Sequence, residues 1–369
     1  MDPNDLRVLL PGERGIPERQ HRLMHDTPPA LDATDADSSG LDCLVRLIRH
    51  YNALDPHHEP TKEEEENPIF AYAWQDFTPI SGAGQDEVTM QRKNAKRRLI
   101  QQLGTVVGDG KTFESYAFSS LMNRAFWSSD AWALPGTKLG FTKDKTWEEI
   151  GTFPLDYLNT VEGGSDSLIR YDCRQDATLE LQAAVDRHFE PRKDSRGTWR
   201  ATAIFGRKVS FVRVLYLANE IEPRPMADLA TFELPFVIAG TDDDGEPANE
   251  ESRETLSLVA MVRMRKEQDS TDYIRTFLPG GIPGWFKGPP KPYVNNSWKV
   301  GDPGGQRYML IYAAFDPPDD GISEISDASE ASEPRETLDL QAILAKPVPE
   351  HQSPENPTGQ PVVASCTCW

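Results

Sequence analysis

The spacing of apolar residues changes along the chain, and this change constrains the fold more strongly than any other feature. Apolar side chains recur at intervals of three and four residues, as on one face of a helix, at Leu41, Leu44, Val45 and Ile48. Residues 91–103 and 181–189 also have a helical pattern, and Gly104 predicts the end of the first of these two helices. Apolar and polar residues then alternate, which predicts strands at 209–216, 232–238, 256–263, 273–277 and 308–315. Helices followed by an antiparallel sheet predict an α+β fold.

The two ends of the chain differ in composition from the part between them. Residues 1–35 are rich in Pro, Asp, Arg and His without periodicity, which predicts a flexible leader. From Asp316 onward there are eleven acidic and two basic residues, a net charge of −9 out of −20 for all 369 residues. Such a segment buries too little apolar surface to offset the entropy of ordering it, so residues 316–369 are predicted to be a disordered acidic tail. One folded domain is therefore expected over residues 36–315.

The acidic tail has two features that bear on partners. Residues 336–345 can form a short helix, which is either a docking motif for a protein partner or a helix without a function. Four serines in an acidic context are open to phosphorylation, which would add further negative charge: Ser323, Ser326, Ser329 and Ser332. The docking interpretation of the helix predicts protein partners that bind through the tail.

Charge and composition exclude several classes of protein. The acidic balance argues against nucleic acid and anionic membranes as partners. No apolar run approaches the roughly 18 residues that a membrane-spanning helix needs, and the first residues lack the apolar stretch of a signal peptide. Four cysteines, two of them among the last four residues, do not make a secreted disulfide framework. We therefore expect an intracellular protein, cytoplasmic or nuclear.

Three short motifs resemble ligand sites, and each has a simpler interpretation. The segment GDGKT at 108–112 lacks the first glycine and the preceding strand of a phosphate-binding loop, which favours a turn. His57 and His58 are adjacent, and no second pair is spaced to complete a metal site, which favours a surface loop. The basic run 91–98 is a nuclear localisation signal, a patch that binds nucleic acid or the solvated face of a helix. The excess of acidic residues in the whole chain favours the last of these. The sequence predicts no cofactor and no metal.

The segment from Ser38 to Ile48 is the most informative about chemistry. A Ser-Ser-Gly turn leads directly into the apolar helix, which places residue 39 at the positive end of the helix dipole. That position lowers the pKa of a thiol and suits a cysteine nucleophile, but a serine there can equally be an N-cap. The segment alone leaves both interpretations open.

The order of several segments resembles the ubiquitin-specific proteases. The run Ser39-Gly-Leu-Asp-Cys-Leu-Val is similar to the Cys-box of that family, with Ser39 in place of the nucleophilic cysteine. Asp272-Tyr273 takes the place of the family's His-Tyr, and Asp302 matches the acid of its W-x-x-F-D motif. Further similar segments lie at 177–189, Leu256–Met264 and Tyr308–Tyr312. The resemblance implies a papain-like fold, in which 36–175 form a helical thumb and 176–315 a β palm, and a surface that binds ubiquitin.

The residues at the family's catalytic positions depart from its pattern. The Ser39 hydroxyl stays protonated without a strong base nearby. Asp272 is a poor base for an alcohol, because the ordinary pKa of an aspartate is about 3.9. Thr34 stands where the resemblance places the asparagine that stabilises the oxyanion. The zinc-binding CxxC pairs of many members are missing as well. Cys43 lies one turn further along the helix than residue 39, and His50 lies seven residues from Cys43 on the same helix, too far to pair with it.

These departures predict a catalytically inactive ubiquitin-specific-protease-like domain, a binding module or scaffold for ubiquitin, a ubiquitin-like protein or another protein. One alternative is an active deubiquitinase-type thiol hydrolase with an atypical catalytic centre. Another is an unrelated α+β protein whose segments match by chance. The alternatives differ in whether Ser39, Asp272 and Asp302 converge in one cleft, and in whether a fluorogenic ubiquitin substrate is turned over.

Overall fold

The computed structural model describes most of the chain between residues 2 and 314. The described residues are 2–31, 38–107, 110–127, 129, 131–132, 137–141, 147–152, 168–189, 192–193, 199–203, 210–241, 247–265, 271–278, 282–283, 293–294, 298–302 and 306–314. The tail predicted for 316–369 lies outside these ranges, as does Thr34. The disorder of the tail therefore stays a prediction.

Helices fill the first third of the chain, and two of them, Ser39–Leu54 and Gln85–Val107, cover segments where the spacing of apolar residues predicts a helix. Their bounds are α1 Leu6–Leu9, α2 Gly12–His25, α3 Ser39–Leu54, α4 Lys62–Glu66, α5 Pro68–Ala73, α6 Gln85–Val107, α7 Phe113–Ala117 and α8 Ser120–Met122. A π-helical turn over Asn123–Trp127 follows α8, a further helix, α9, spans Leu181–Phe189, and a 3₁₀ turn spans Met226–Leu229. Within the described ranges, no helix is both long enough and apolar enough to cross a membrane.

Strands make up most of the residues that the structure describes after Trp127, so the fold is a mixed one of helices and sheets. Their bounds are β1 Thr137–Phe141, β2 Trp147–Thr152, β3 Leu168–Asp172, β4 Arg192–Lys193, β5 Trp199–Ala203, β6 Phe211–Leu217, β7 Thr231–Thr241, β8 Pro247–Met264, β9 Tyr273–Leu278, β10 Ile282–Pro283 and β11 Arg307–Ala314. A smaller sheet has the order β2-β1-β5-β4. A larger sheet has the order β10-β9-β8-β11-β6-β3, and β7 pairs with β8 beside it.

The larger sheet departs in one place from the antiparallel sheet that the sequence predicts. Strand β3 pairs with β6 in parallel, with Leu168 opposite Arg213 and Asp172 opposite Leu217. The chain between these strands passes through α9 and the smaller sheet before it returns as β6. A connection of this length allows a parallel pair, whereas the hairpins elsewhere in the sheet require antiparallel ones.

Helix α3 is buried along almost its whole length, from Ser39 to Ala53. Its fully buried Arg49 donates to the carbonyls of Ala73, Gln75 and Arg22, at 2.6, 2.9 and 2.7 Å. Ala73 and Arg22 lie in the last turns of α5 and α2, and the Arg22 carbonyl also accepts from the Asp26 amide at 2.9 Å. A buried charge on α3 therefore holds two neighbouring helices in place.

The larger sheet is covered on both faces, so its strands alternate between two cores. On β11, one set of side chains belongs to the core shared with α3: Met309, Ile311 and Ala313. The intervening set belongs to the core under α9: Tyr308, Leu310 and Tyr312. This division follows from the two-residue period of a strand. Helix α3 packs on β9, which brings the first residues of α3 close to the loop before β9.

The first 31 residues differ from the predicted flexible leader. Leu6 and Leu23 are buried in the core of the helical part, and the side chain of Asp5 caps α1 by accepting from the Arg7 amide. Gly15 and Leu23 are the only buried residues described for α2, so its apolar stripe is narrow. Pro and Arg residues interrupt the spacing of this stripe, and for that reason the sequence does not reveal the helix.

Candidate functional site

Ser39 is the first residue of α3 and lies against the loop before β9. Only 5% of its surface is exposed. Its Oγ accepts a hydrogen bond of 3.1 Å from the backbone amide of Asp272. The structure thus brings together two of the three residues that the resemblance places at a catalytic centre. The bond between them uses the Asp272 amide and not its carboxylate.

The Asp272 carboxylate is fully buried, and both of its oxygens bind the fold itself. Oδ1 accepts from the Arg265 amide at 2.9 Å, and Oδ2 accepts from the Phe113 amide at 3.0 Å. The Nε of Arg265 lies 3.5 Å from Oδ2. Burial raises the pKa of the Asp272 carboxyl above its ordinary value, and the two amides and the Arg265 charge act in the opposite direction. The carboxylate therefore joins α7, β8 and β9 at one point.

The segment Lys111–Phe113 closes over this junction. A Cβ on Gly40 would lie 2.7 Å from the Lys111 carbonyl oxygen and still closer to the backbone of Thr112 and Phe113. Only a glycine allows such an approach, because real Cβ contacts of this length essentially never occur. The segment continues into α7, whose first turn is held by a capping box between Thr112 and Ser115. The start of α3 is therefore covered by backbone and is not open as a cleft.

Asp302 occupies a separate turn. Its carboxylate accepts from the Lys299 amide at 2.6 Å. Burial lowers the pKa of Arg275 and raises that of Tyr308, and the nearby negative charge of Asp302 acts to raise both. The contacts described for Asp302 are with this turn and its neighbours rather than with Asp272. Thr34, the fourth residue of the predicted constellation, lies outside the described residues.

Cys43 and His50 do not form a substitute centre. Cys43 is fully buried, and burial, followed by the carboxylates of Asp272 and Asp42, raises the pKa of its thiol well above the ordinary value. His50 donates from Nε2 to the Phe277 carbonyl at 3.0 Å. Burial and, secondarily, the Arg46 charge lower the pKa of His50 to about 3. The thiol is thus held protonated, and the imidazole is bonded to another part of the fold.

A buried ion pair fixes the position of the first turn of α3. Lys96 Nζ lies 2.6 Å from Asp42 Oδ1, and both side chains are almost inaccessible to solvent. Ser38 Oγ donates to Asp42 at 3.1 Å, and Lys96 Nζ donates to the Pro29 carbonyl at 3.0 Å. The sequence favours a solvated face for Lys96 together with the rest of the basic run, and the structure differs. The signal for a buried position was present, because Lys96 shares a helical stripe with Leu99 and Leu103.

Within the described ranges, no group of three or more His, Cys, Asp or Glu side chains is placed to hold a metal ion. The two adjacent histidines lie in a turn outside any helix or strand, as the sequence predicts, with His57 exposed and His58 half-buried. His58 bonds to the buried Glu64 at 2.9 Å, and Glu64 belongs to α4. The acidic run 62–66 is therefore a short helix with one side chain turned inward.

No protein-family model matches the chain, and neither does any curated protein. Among solved structures, the chain is similar to the SAGA Ubp8/Sgf11/Sus1/Sgf73 DUB module bound to ubiquitin aldehyde, with 9% identity and a TM-score of 0.39 over 80% of this chain and 71% of that chain. It is also similar to the same DUB module with a substitution in Ubp8, with 10% identity and a TM-score of 0.33 over 80% and 69% of the two chains. These scores describe a loose similarity in the arrangement of helices and strands.

Proposed function

We propose that this chain is a catalytically silent relative of the ubiquitin-specific proteases and acts as a binding module for ubiquitin or a ubiquitin-like protein. In this proposal the helical part corresponds to the thumb of a papain-like fold, and the larger sheet corresponds to its palm. The hydrogen bond between the Asp272 amide and Ser39 Oγ carries the proposal. It joins the two positions that the resemblance assigns to nucleophile and base, through groups that do not perform either role.

Acyl transfer by this family's chemistry needs a deprotonated nucleophile and a base that takes up its proton. The Asp272 amide donates a hydrogen bond to Ser39 Oγ. An amide N–H is a donor only, so it cannot act as the base that removes the proton of the hydroxyl. The Asp272 carboxylate is engaged by the Phe113 and Arg265 amides. These contacts support a structural role for both residues and argue against proton transfer between them.

Access to the site supports the same proposal. A protease must admit the extended tail of its substrate to the nucleophile, yet Ser39 and Asp272 are 5% and 0% exposed. The backbone of Lys111–Phe113 rests directly on Gly40, next to Ser39. A partner would therefore bind on the outer surface of the domain. The net charge of −20 favours partners with a basic surface.

Titration of isotope-labelled ubiquitin with the full chain tests the binding half of this proposal. We expect changes in the NMR chemical shifts of ubiquitin that map to one contiguous face of its surface, and we expect these changes to become smaller as salt is added. A panel of ubiquitin-like proteins run in the same way serves to identify the preferred partner. An absence of shift changes for every member of the panel would exclude this class of partner. Turnover of a fluorogenic ubiquitin substrate tests the catalytic half separately.

A further inference from the structure

Ile221 lies in the loop between β6 and the 3₁₀ turn, and its side chain is almost entirely exposed. The exposed fraction is 88%, whereas the other large apolar side chains described as exposed reach at most 56%. Single apolar side chains are common on protein surfaces, so exposure alone assigns no role to Ile221. What distinguishes Ile221 is that the loop holds it in a fixed position between two acidic residues.

Asn219 fixes the first half of this loop. Its Oδ1 accepts from the backbone amides of Ile221 and Glu222, at 2.9 and 3.0 Å, which is the usual way in which an asparagine stabilises a turn. Its Nδ2 donates to the carbonyls of Cys173 and Arg174, at 3.4 and 3.2 Å, just after β3. One side chain therefore ties the residues around Ile221 to a second segment of the fold.

The second half of the loop is held by three further contacts. Pro223 packs against Gly301, where a Cβ would overlap the proline ring and where φ is 88°, a conformation that favours glycine. The Arg224 amide donates to the Tyr216 hydroxyl at 3.1 Å, and its guanidinium donates to the Leu179 carbonyl at 2.9 Å. A loop that is already ordered loses little conformational entropy on binding, so an apolar side chain at its tip contributes more to affinity.

Acidic side chains flank Ile221 on both sides. Glu220 and Glu222 are exposed. The loop has one cation in its sequence, Arg224, which lies 3.7 Å from Asp228 Oδ2 and is therefore compensated. An apolar side chain between two carboxylates complements a partner surface on which basic side chains surround an apolar pocket. Residues 220–222 are referred to as the Ile221 tip.

We propose that the Ile221 tip is the place where this chain binds ubiquitin or a ubiquitin-like protein, an inference that rests on the proposed function. The carboxylates of the tip disfavour two other occupants. A second copy of the chain, joined by a two-fold axis, would bring two acidic tips together, and like charges repel. The acidic segment from Asp316 to the end of this chain would be repelled in the same way.

Titration of isotope-labelled ubiquitin and of the panel of ubiquitin-like proteins with the full chain and with Ile221→Ser tests this proposal. Val106→Ser is the matched control, because Val106 is also an exposed apolar residue but lies near the end of α6. We expect Kd for the preferred partner to rise at least about tenfold in Ile221→Ser, which loses the burial of an apolar side chain, and to change less than about twofold in Val106→Ser.

The possible failures are distinguishable. Equal Kd values for Ile221→Ser and the unchanged chain would overturn this inference and leave the proposed function standing. No binding of any member of the panel by the unchanged chain would overturn both. A dimer of the unchanged chain in sedimentation that only Ile221→Ser loses would also overturn the inference, because a second copy would then cover the tip.

A second pair of variants tests the contribution of charge and does not depend on Ile221→Ser. Glu220→Gln with Glu222→Gln removes two charges from the tip, and Glu63→Gln with Glu65→Gln removes two exposed charges from α4. Both variants have the same net charge. We expect the dependence of Kd on salt to become shallower in the first variant only, because charges at an interface act locally. The same salt dependence in both variants would overturn the proposal.

Discussion

Ser39 and Asp272 are 233 residues apart in the chain, and the Asp272 amide donates a hydrogen bond of 3.1 Å to Ser39 Oγ. The contact joins the start of α3 to the loop before β9. The Asp272 carboxylate also binds the amides of Phe113 and Arg265. Hydrogen bonds at this junction therefore connect the loop before β9 with the start of α3, the start of α7 and the end of β8. The following predictions concern the stability contributed by this junction and by the buried residues of α3.

Asp272→Ala removes an acceptor from two buried amides, those of Phe113 and Arg265. Leaving buried donors unsatisfied is costly, so we expect the free energy of unfolding to fall by at least about 2 kcal/mol. Urea unfolding measures the change. Asp302→Ala is the matched control, because its carboxylate accepts from an exposed amide, and it should cost less than about 1 kcal/mol. Equal effects would remove the structural role assigned to Asp272.

Gly40→Ala forces a methyl group into the backbone of Lys111–Phe113. Overpacking of a buried contact typically costs about 1–3 kcal/mol, and here the obstacle is backbone, which yields little. Gly104→Ala in α6 is the control, because nothing lies within 4 Å of its Cβ, and it should stabilise the helix by about 0.5–1 kcal/mol. Thermal unfolding of both variants tests the prediction. A neutral Gly40→Ala would show that Lys111–Phe113 does not rest on α3.

Lys96→Met leaves the Asp42 carboxylate buried without its cation. Breaking one side of such a pair costs about 3–5 kcal/mol, because the remaining charge is uncompensated. Arg97→Met, one residue further along α6, removes an exposed charge and should change the stability by less than about 0.5 kcal/mol. The double variant Lys96→Met with Asp42→Asn is expected to recover part of the loss. Equal stabilities of the Lys96 and Arg97 variants would contradict the buried pair.

His50 gives the fold a dependence on pH. Its pKa is lowered from 6.5 to about 3 in the folded chain, so the unfolded chain binds the proton more readily. The stability contributed by neutral His50 is present above pH 6.5 and is lost as the pH falls toward 3, by up to about 1.4 kcal/mol per pH unit. His50→Gln keeps a donor for the Phe277 carbonyl but cannot titrate, so its stability should fall less steeply.

Urea unfolding at several pH values between 7 and 4 measures the difference in slope between the unchanged chain and His50→Gln. His57→Gln is the control, because His57 is exposed, and it should leave the slope of the unchanged chain intact. Parallel curves for His50→Gln and the unchanged chain would show that the imidazole is not held neutral.

The periodicity of the sequence was enough to predict the main elements that carry the junction. Helix α3 and strands β6 to β9 and β11 lie close to the predicted segments, because a buried helix and a covered sheet impose periods of about 3.6 and 2 on apolar residues. The end of α6 was predicted wrongly, since the helix continues past Gly104 to Val107. An isolated glycine in a helix costs only about 1 kcal/mol, which neighbouring turns can offset.

The closure of the site could not be predicted from the same patterns. Lys111–Phe113 belongs to a short polar stretch, and the five-residue helix α7 that follows has too few residues to show a period. The order of segments brought Ser39 and Asp272 to one place in the prediction, but it could not show which atoms of Asp272 face Ser39. Which atoms of Asp272 face Ser39 depends on how the backbone packs at Gly40, and this packing produces no regular spacing of residues in the sequence.

Hydrolysis of ubiquitin carrying a fluorophore at its C-terminal carboxyl tests the central claim most directly. The full chain and its Ser39→Ala and Cys43→Ala variants are compared at equal concentration with buffer alone. We predict that all three release fluorophore no faster than buffer, because neither the Ser39 hydroxyl nor the buried Cys43 thiol can be deprotonated by a neighbouring group. Release by the full chain that Ser39→Ala or Cys43→Ala abolishes would contradict this account and establish an active hydrolase.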